Sequence, residues 1–233
     1  MKTGCIETPG YRWKLWRIWG PGPIALVVML NPSTAGAEKD DPTTRNLIAL
    51  LQALGFGGYF VGNLFPCRSS KPSDISAWLS ASEQVGALRF NAECVAEMAM
   101  LSDSIILAWG QSGPPVMRRA ADRMVDTLRP FVKPLCFGHT ASGAPIHPAA
   151  RGKARLVPGA PLVAWTGYLP GRHRWGEPNR VDHTRTERPC LICGLKKITR
   201  HEPGEDWTEF ESHGLVIART GDGTPPCDPG ERP

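Results

Sequence analysis

Several stretches of the sequence carry polar side chains that could bind a ligand by hydrogen bonds. One of them, VVMLNPSTAGAEKDDPTT, passes from apolar residues to Asn31-Pro32-Ser33 and then to the carboxyl pair Asp40-Asp41. Asn63 lies in GNLFPCR, and His147 lies in IHPAAR. An amide donates and accepts hydrogen bonds, a carboxylate accepts them, and an imidazole can do either. Together these side chains could bind a polar ligand.

Each of these stretches follows an apolar run that predicts a buried strand. The four runs are IALVVML, GYFVGNLFP, SIILAWG and PLCFG. Segments with helical spacing separate them, beginning near residues 43, 83 and 115. Strands that alternate with helices predict a three-layer α/β/α fold around a central, mostly parallel sheet of four to five strands. Ligands of such sheets bind beyond the carboxyl ends of the strands, so these side chains could meet at one crevice.

The first and last parts of the chain differ in residue pattern from the alternating strands and helices between them. Residues 11–19, YRWKLWRIW, alternate apolar and basic residues, which predicts a strand with one solvated face. Its tryptophans are expected in the core and on the sheet surface. We predict an α/β domain over residues 1–169, a small C-terminal module over 170–220 and a disordered tail over 221–233.

Charge and cysteine content limit the classes to which the protein can belong. Residues 1–169 carry 17 Lys and Arg against 11 Asp and Glu, so the basic excess belongs to the first part of the chain. This excess is compatible with DNA as a partner, although many soluble enzymes share it. Seven scattered cysteines do not resemble a secreted disulfide framework, and no apolar run could span a bilayer. We expect a cytoplasmic monomer that binds no membrane.

The order of the motifs resembles a known superfamily. LNPS, GNLFPCR, ILAWG and HPAAR follow one another as the motifs of the uracil-DNA glycosylase superfamily do. A longer pattern, formed by YRWKLWRIW, LNPSTAG, DDPT, NLF and HP, is more closely similar to an uncharacterised family known as domain of unknown function 1643. The likeness covers roughly residues 11–155. It implies a uracil-DNA glycosylase-like fold.

The resemblance implies hydrolysis of an N-glycosidic bond in DNA, which leaves an abasic site. A nucleotide is flipped out of the duplex, and its base leaves through an oxocarbenium-like transition state. Asn31 would hold the attacking water, Asn63 would read the base edge, and His147 would donate to a base oxygen. No lysine stands where a Schiff-base nucleophile would be obvious, so we expect hydrolysis without strand cleavage and without a catalytic cofactor.

We expect substrate contacts from Pro32, Ser33, Asp40, Asp41 and Phe65. Uracil-removing members of the superfamily place an aromatic residue soon after the first motif, and none occurs between Pro32 and Asn46. We therefore expect a wider and more polar pocket, suited to an enlarged pyrimidine that carries a hydroxymethyl or glycosyl group. Such bases occur in virus DNA, so a role in defence against phage would follow.

Each of these residues also has a structural interpretation. Asn31-Pro32 could be a strand-terminating turn, and Asn63 could be a buried amide that ties two loops together. Asp40 or Asp41 could cap the helix that begins near Thr43. His147 could be an ordinary loop residue. Four basic residues could bind DNA phosphates or belong to solvated loops: Arg68, Arg151, Lys153 and Arg155.

The C-terminal module contains a pair of cysteines with metal-ligand spacing. Cys190-x-x-Cys193 forms half of a zinc site, for which His201, His213 and Cys227 are the nearby candidates to complete four ligands. A structural zinc is one interpretation. Free thiols at a tight turn are the other.

Two further function classes stay open at this point. The chain could bind modified or flipped bases without catalysis, or it could be a small-molecule hydrolase on the same fold. Either DNA function predicts an affinity that falls steeply with salt, whereas the small-molecule hydrolase predicts none.

Overall fold

The protein was analysed as a computed structural model that describes residues 1–80, 84–111, 115–167, 175–191, 193–212, 214–222, 224–225 and 227. The chain divides into two compact units, Met1–Gly167 and Tyr168–Pro233. Most of the predicted tail over 221–233 lies outside the described residues. Within the described part of the chain, no helix combines the length and the apolar character needed to cross a membrane.

The first unit is built on a mixed sheet. Its strands are β1 Lys2–Thr8, β2 Tyr11–Ile18, β3 Ile24–Met29, β4 Gly58–Asn63, β5 Ser104–Leu107, β6 Leu135–Cys136 and β7 Val163–Ala164. Their order is β1-β2-β4-β3-β5-β6-β7, in which β4, β3, β5 and β6 are mutually parallel and the other neighbours are antiparallel. The predicted α/β class and parallel centre are confirmed. The sheet is larger than predicted because the mostly exposed β1 and the two-residue β7 carry no apolar signal.

Four helices connect or flank these strands: α1 Pro42–Ala53, α2 Pro72–Ser80, α3 Gln84–Met100 and α4 Pro115–Leu128. Leu47 and Leu51 of α1 share a core with Val61 of β4. The next residue, Gly62, faces Val95 of α3, whose side chain would lie 2.8 Å from a Cβ at that position. Since successive strand residues point to opposite faces, α1 and α3 pack against opposite faces of the sheet.

A β-bulge interrupts the pairing of β1 with β2. Ile6 pairs with Lys14, but Glu7 pairs with Arg12, so Trp13 is an extra residue on β2. An extra residue shifts the alternation of side chains by one position and can re-aim a side chain. The start of β2 therefore presents its residues differently from a regular strand.

The bulge places Arg12 on the same side of the sheet as Leu15 and Arg17. Leu15 belongs to the core beside α1, whereas Trp13 packs edge-on against Phe90 of α3, with ring centroids 4.9 Å apart. Arg12 and Arg17 are 2% and 1% exposed. The prediction of a solvated basic face on this strand is therefore wrong for these two residues, because both guanidinium groups bind the chain that follows β3.

Arg17 is held by the loop between β3 and α1. Its Nε and Nη2 lie 2.9 and 2.8 Å from Oδ1 of Asp40, and Nη2 also donates to the Gly36 carbonyl at 2.7 Å. Nη1 donates to the carbonyl of Trp16 at 2.8 Å. Pairing and hydrogen bonding offset the cost of burying a charge this deeply.

The second unit contains an antiparallel sheet with the order β12-β11-β10-β9-β8. Its strands are β8 Asn179–Asp182, β9 Arg185–Pro189, β10 Lys196–Glu202, β11 Glu205–Ser212 and β12 Leu215–Arg219. Cross-strand ion pairs replace apolar contacts on part of this sheet; Arg200 and Glu209, for example, are 2.7 Å apart. Its small core consists of three cysteines, Leu195 and Phe210.

The Arg17–Asp40 pair predicts a stability effect. We expect Asp40→Ala to lower the free energy of unfolding by about 3 kcal/mol, because removing one partner leaves the other charge buried and uncompensated. Urea denaturation measures the effect. Glu38→Ala, at an exposed site in the same loop, is the control and should change little. Equal stability of the two variants would show that the pair does not hold the loop.

Candidate functional site

A cavity of about 300 Å³ lies at the carboxyl ends of the parallel strands. We call it the strand-end cavity. It contains four of the residues singled out by the sequence: Asn31, Ser33, Asp41 and His147. Its lining consists of Arg12, Met29, Leu30, Asn31, Ser33, Asp41, Thr43, Thr44, Ser69, Ser70, Trp109 and His147. A volume near 300 Å³ is at the small end of the range for ligand sites.

Asn31 lies just beyond β3 with its amide orientation fixed. Its Nδ2 donates to the carbonyl groups of Pro32, at 3.0 Å, and Ser69, at 2.7 Å. Both amide hydrogens therefore have acceptors, which leaves Oδ1 to accept. No described residue donates to Oδ1. A fixed acceptor of this kind can orient a water molecule.

His147 enters the cavity as a neutral donor. Its Nδ1 accepts a hydrogen bond from the Ala149 N–H at 3.0 Å. Burial lowers the pKa of His147, and the negative charge of Asp41 partly opposes this shift. A neutral imidazole whose Nδ1 accepts carries its proton on Nε2. His147 can therefore donate from Nε2. A Cβ at Gly110, whose φ is 80°, would lie only 3.1 Å from the His147 Cβ, so glycine leaves room for the histidine.

Asp41 and Asp40 have different roles in the structure. Asp41 caps α1: its Oδ1 accepts from the Thr44 N–H at 2.8 Å, and Thr44 Oγ1 accepts from the Asp41 N–H at 2.8 Å. Asp41 is 9% exposed and lines the cavity. Asp40 is bound to Arg17 and is absent from the lining. Asp41 therefore both caps α1 and lines the cavity, whereas Asp40 pairs with Arg17 inside the fold.

Arg12 and Trp109 also line the cavity, although the sequence interpretation gave neither of them a role. Arg12 donates from Nη1 to the Ala35 carbonyl at 3.0 Å, and its Nε has no partner among the described residues. Burial, followed by the nearby charge of Arg68, lowers the pKa of Arg12 to about 10, so the guanidinium stays charged at neutral pH. The change of register at the bulge is the signal that identifies Arg12. The sequence of β2 alone does not show it, because register depends on the pairing with β1.

Trp109 is the second of these residues. It follows β5, is 2% exposed, and contacts Trp165 edge-on with centroids 5.8 Å apart. The absence of an aromatic residue between Pro32 and Asn46 therefore does not leave the cavity without an aromatic wall, because a different strand end supplies one. The position of SIILAWG at the carboxyl edge was the signal that could have identified it.

Four other candidates lie close by without lining the cavity. Asn63 is fully buried, and neither atom of its side-chain amide has a partner among the described residues. Phe65 is also fully buried and packs against Trp78. The carbonyl group of Pro32 accepts from Asn31 and from the Ser69 N–H. Arg68 donates to the carbonyl groups of Ser33 and Ala35 and pairs with Glu7.

A wider groove of about 540 Å³ contains part of the basic set. Arg151 and Arg155 line it, together with Pro148, which follows the cavity residue His147. Arg151, Lys153 and Arg155 are exposed, and none of the three forms an ion pair with a described residue. These cations are therefore available to an external anion.

The second unit brings three of the predicted metal ligands together. The sulfur atoms of Cys190, Cys193 and Cys227 lie within 4.8 Å of one another, and all three residues are buried. We call them the thiol cluster. His201 is not part of it, since its Nδ1 is 3.1 Å from Asp206 and its Nε2 is 2.9 Å from Thr186 Oγ1. His213 lies outside the described residues.

Comparison with known proteins gives one match. The model of the family described as "Protein of unknown function (DUF1643)" matches residues 12–149. A search of curated proteins found no match, and neither did a search of solved structures. The matched region covers more than half of the chain.

The environment of His147 predicts its titration. We expect its NMR titration midpoint below the ordinary histidine value of about 6.5, because burial disfavours the imidazolium. The stability linked to the neutral ring is then present above pH 6.5 and is lost as the pH falls through the midpoint of the folded state. Asp41→Asn should lower the midpoint further, since it removes a negative charge but keeps an oxygen that can cap α1. Asp126→Asn, on the exposed side of α4, is the control and should leave the midpoint unchanged. A midpoint at or above 6.5 would contradict this environment.

Proposed function

We infer a function from the premise that the chain belongs to the DUF1643 family, whose matched region holds the complete lining of the strand-end cavity. The lining runs from Arg12 to His147, and the match runs from residue 12 to residue 149. The family description assigns no activity. The function must therefore be argued from the chemistry of the cavity.

We propose that the protein is a monofunctional DNA glycosylase that hydrolyses the N-glycosidic bond of a modified pyrimidine and leaves an abasic site. The observation that carries this proposal is the meeting of Asn31 and His147 in one small cavity at the strand ends. The first presents a fixed acceptor, and the second presents a neutral donor. Hydrolysis of an N-glycosidic bond needs both, one to orient the water and one to bind the base.

In the proposed mechanism, the flipped base enters the strand-end cavity. Asn31 Oδ1 accepts a hydrogen bond from the attacking water and directs its oxygen at the sugar carbon. An amide is a weak base, so its contribution is orientation, which suffices once positive charge develops on the sugar. His147 Nε2–H donates to an oxygen of the departing base. No step requires a lysine nucleophile.

The polar lining supports an enlarged base as the substrate. Half of the lining residues carry a hydroxyl or carboxyl group: Ser33, Asp41, Thr43, Thr44, Ser69 and Ser70. These groups can hydrogen-bond to the hydroxyls of a hydroxymethyl or glycosyl substituent. Trp109 offers a surface for stacking. A role in cytoplasmic defence against phage with modified DNA is part of this proposal.

The groove and the packing of the helices fit the same proposal. Arg151, Lys153 and Arg155 could bind phosphates of the strand that carries the flipped nucleotide. Helices α1 and α3 on opposite faces of a parallel-centred sheet are compatible with the three-layer arrangement of the uracil-DNA glycosylase superfamily. Fold likeness alone would not fix the chemistry.

The proposal predicts base release from DNA. We expect alkali-labile abasic sites in duplexes that contain hydroxymethylated or glycosylated cytosine, and none in unmodified duplexes. Asn31→Ala should slow release on the order of 10²-fold, because the water loses its orienting acceptor. A denaturing gel after alkali treatment measures the cleaved product.

The control for this experiment is Thr34→Ala. Thr34 is exposed in the same loop and does not line the cavity, so its variant should retain full activity. Thermal unfolding of both variants separates lost activity from lost folding. DNA binding that weakens with salt but gives no abasic sites would favour the non-catalytic binder. The absence of both would favour the small-molecule hydrolase.

We also propose that the thiol cluster binds a structural zinc ion. Cys190 Sγ and Cys227 Sγ lie 3.8 Å apart. Zn–S bonds of about 2.3 Å in a tetrahedron place two sulfurs at about this separation. The backbone supports the turn, since the Cys190 N–H donates to the Leu195 carbonyl at 2.7 Å and the Gly194 N–H donates to the Cys190 carbonyl at 2.9 Å. Such a metal would link the turn to Cys227 within this unit.

Metal analysis tests the zinc proposal. We expect one zinc per chain in the purified protein and its loss in Cys193→Ser. Cys5→Ser alters a thiol outside the cluster and should keep the metal. His213→Ala then asks whether the remaining histidine of the predicted ligand set supplies the fourth ligand. A wild-type protein without zinc when purified from zinc-supplemented medium would contradict the proposal.

A further inference from the structure

Arg12 is a buried cation whose hydrogen bonds are incompletely satisfied. It is 2% exposed, and its Nε has no partner among the described residues. The one hydrogen bond that its side chain forms with a described residue runs from Nη1 to the Ala35 carbonyl, which also accepts from Arg68 at 3.2 Å. No carboxylate of a described residue lies within ion-pair distance of Arg12. Such a group is costly to bury unless something else offsets its charge.

Arg17, on the same strand, is a buried arginine whose hydrogen bonds are satisfied within the fold. It lies on the same face of β2, is equally buried, and binds a carboxylate and two carbonyl groups. Arg12 lines the strand-end cavity, whereas Arg17 does not. The difference between the two residues is that Arg12 faces a space that a ligand can enter.

The surroundings of Arg12 favour a negative ligand group. The first turn of α1 enters the cavity through Thr43 and Thr44, and a helix N-terminus attracts negative charge. His147 is neutral at physiological pH because burial lowers its pKa. Among the described lining residues, Arg12 is therefore the one cation. Asp41, the one carboxylate, belongs to the cap of α1.

Because Arg12 is deeply buried, only part of a bound nucleotide can contact its guanidinium group. Phosphates of a DNA strand remain outside a small cavity that receives a flipped base. The exposed cations Arg151, Lys153 and Arg155 are better placed for those phosphates. A guanidinium that is 2% exposed can meet only the group that enters the cavity itself.

We propose that Arg12 binds the leaving base and stabilises the negative charge that develops on it as the N-glycosidic bond breaks. This inference rests on the proposed glycosylase function. The electron pair of the C1′–N1 bond departs with the pyrimidine, and the oxygen of water forms the new bond to C1′. The proton released by that water goes to the departed base or to solvent. Arg12 donates to the anionic edge of the pyrimidine, so its ligand class is a pyrimidine anion.

The activity arm compares three variants on the best substrate of the wild-type protein. Arg12→Gln should slow base release on the order of 10²–10³-fold, because a positioned donor to the developing anion is lost. Arg12→Lys keeps the charge and should retain part of the rate. Arg45→Gln, at an exposed arginine beside the same loop, is the matched control and should retain the full rate. Unchanged release by a folded Arg12→Gln would overturn the inference and leave the glycosylase function standing.

The binding arm needs no activity. Uracil is neutral at physiological pH, whereas barbiturate is a pyrimidine of similar size that is anionic there. Thermal shift titrations should show that the wild-type protein binds barbiturate at least tenfold more tightly than uracil. Arg12→Gln should lose this preference, and Arg45→Gln should keep it.

The two arms separate the two hypotheses. An Arg12-dependent preference for barbiturate without base release from any DNA would overturn the glycosylase function and retain the pyrimidine-anion site. A wild-type protein that binds both pyrimidines equally, or neither, would overturn the role of Arg12 even if Arg12→Gln does not fold.

Discussion

Three arginines bind the backbone of the loop between β3 and α1, and the arrangement of the cavity depends on them. Arg12 donates to the Ala35 carbonyl, Arg17 to the Gly36 carbonyl, and Arg68 to the carbonyl groups of Ser33 and Ala35. Buried carbonyl groups need donors, and an irregular loop cannot supply them from a regular ladder. Guanidinium groups meet this need because each carries several donors in a fixed plane. The loop can therefore leave the sheet and still hold Asn31 and Asp41 at the edge of the cavity.

Much of the fold could be predicted because its parallel strands and first helix have strong local signals. IALVVML and SIILAWG are short, apolar and β-branched, and both form central strands. The edges of the sheet could not be predicted in this way, since β1 is mostly exposed and shows no apolar alternation. The strands of the second unit could not be predicted in this way either. Its strands carry pairs such as Arg200 and Glu209, whose benefit depends on a cross-strand neighbour that a single-strand pattern does not contain.

The candidate site was predicted only in part, for a related reason. The strand-end rule fixes the edge of the sheet at which a residue lies, but not whether nearby chain covers it. After β4 the chain continues beside β3, since the Leu64 N–H donates to the Met29 carbonyl and the Phe65 N–H to the Leu30 carbonyl. Asn63 is therefore covered, although it ends a strand. Asn31 and His147 are followed by prolines, and at both places the chain leaves the sheet beside the cavity.

The strand-end cavity contains a cation, Arg12, and a carboxylate, Asp41, that form no ion pair with each other. A direct pair would neutralise both charges, whereas separated charges maintain a field across the space between them. In a buried site such a field is screened far less than in water. In the proposed hydrolysis, such a field would stabilise the negative charge that develops on the leaving base beside Arg12. The bulge at Trp13 is what permits this arrangement, because a regular β2 would point Arg12 to the other face of the sheet. A single inserted residue in a strand thus determines the charge distribution of the cavity.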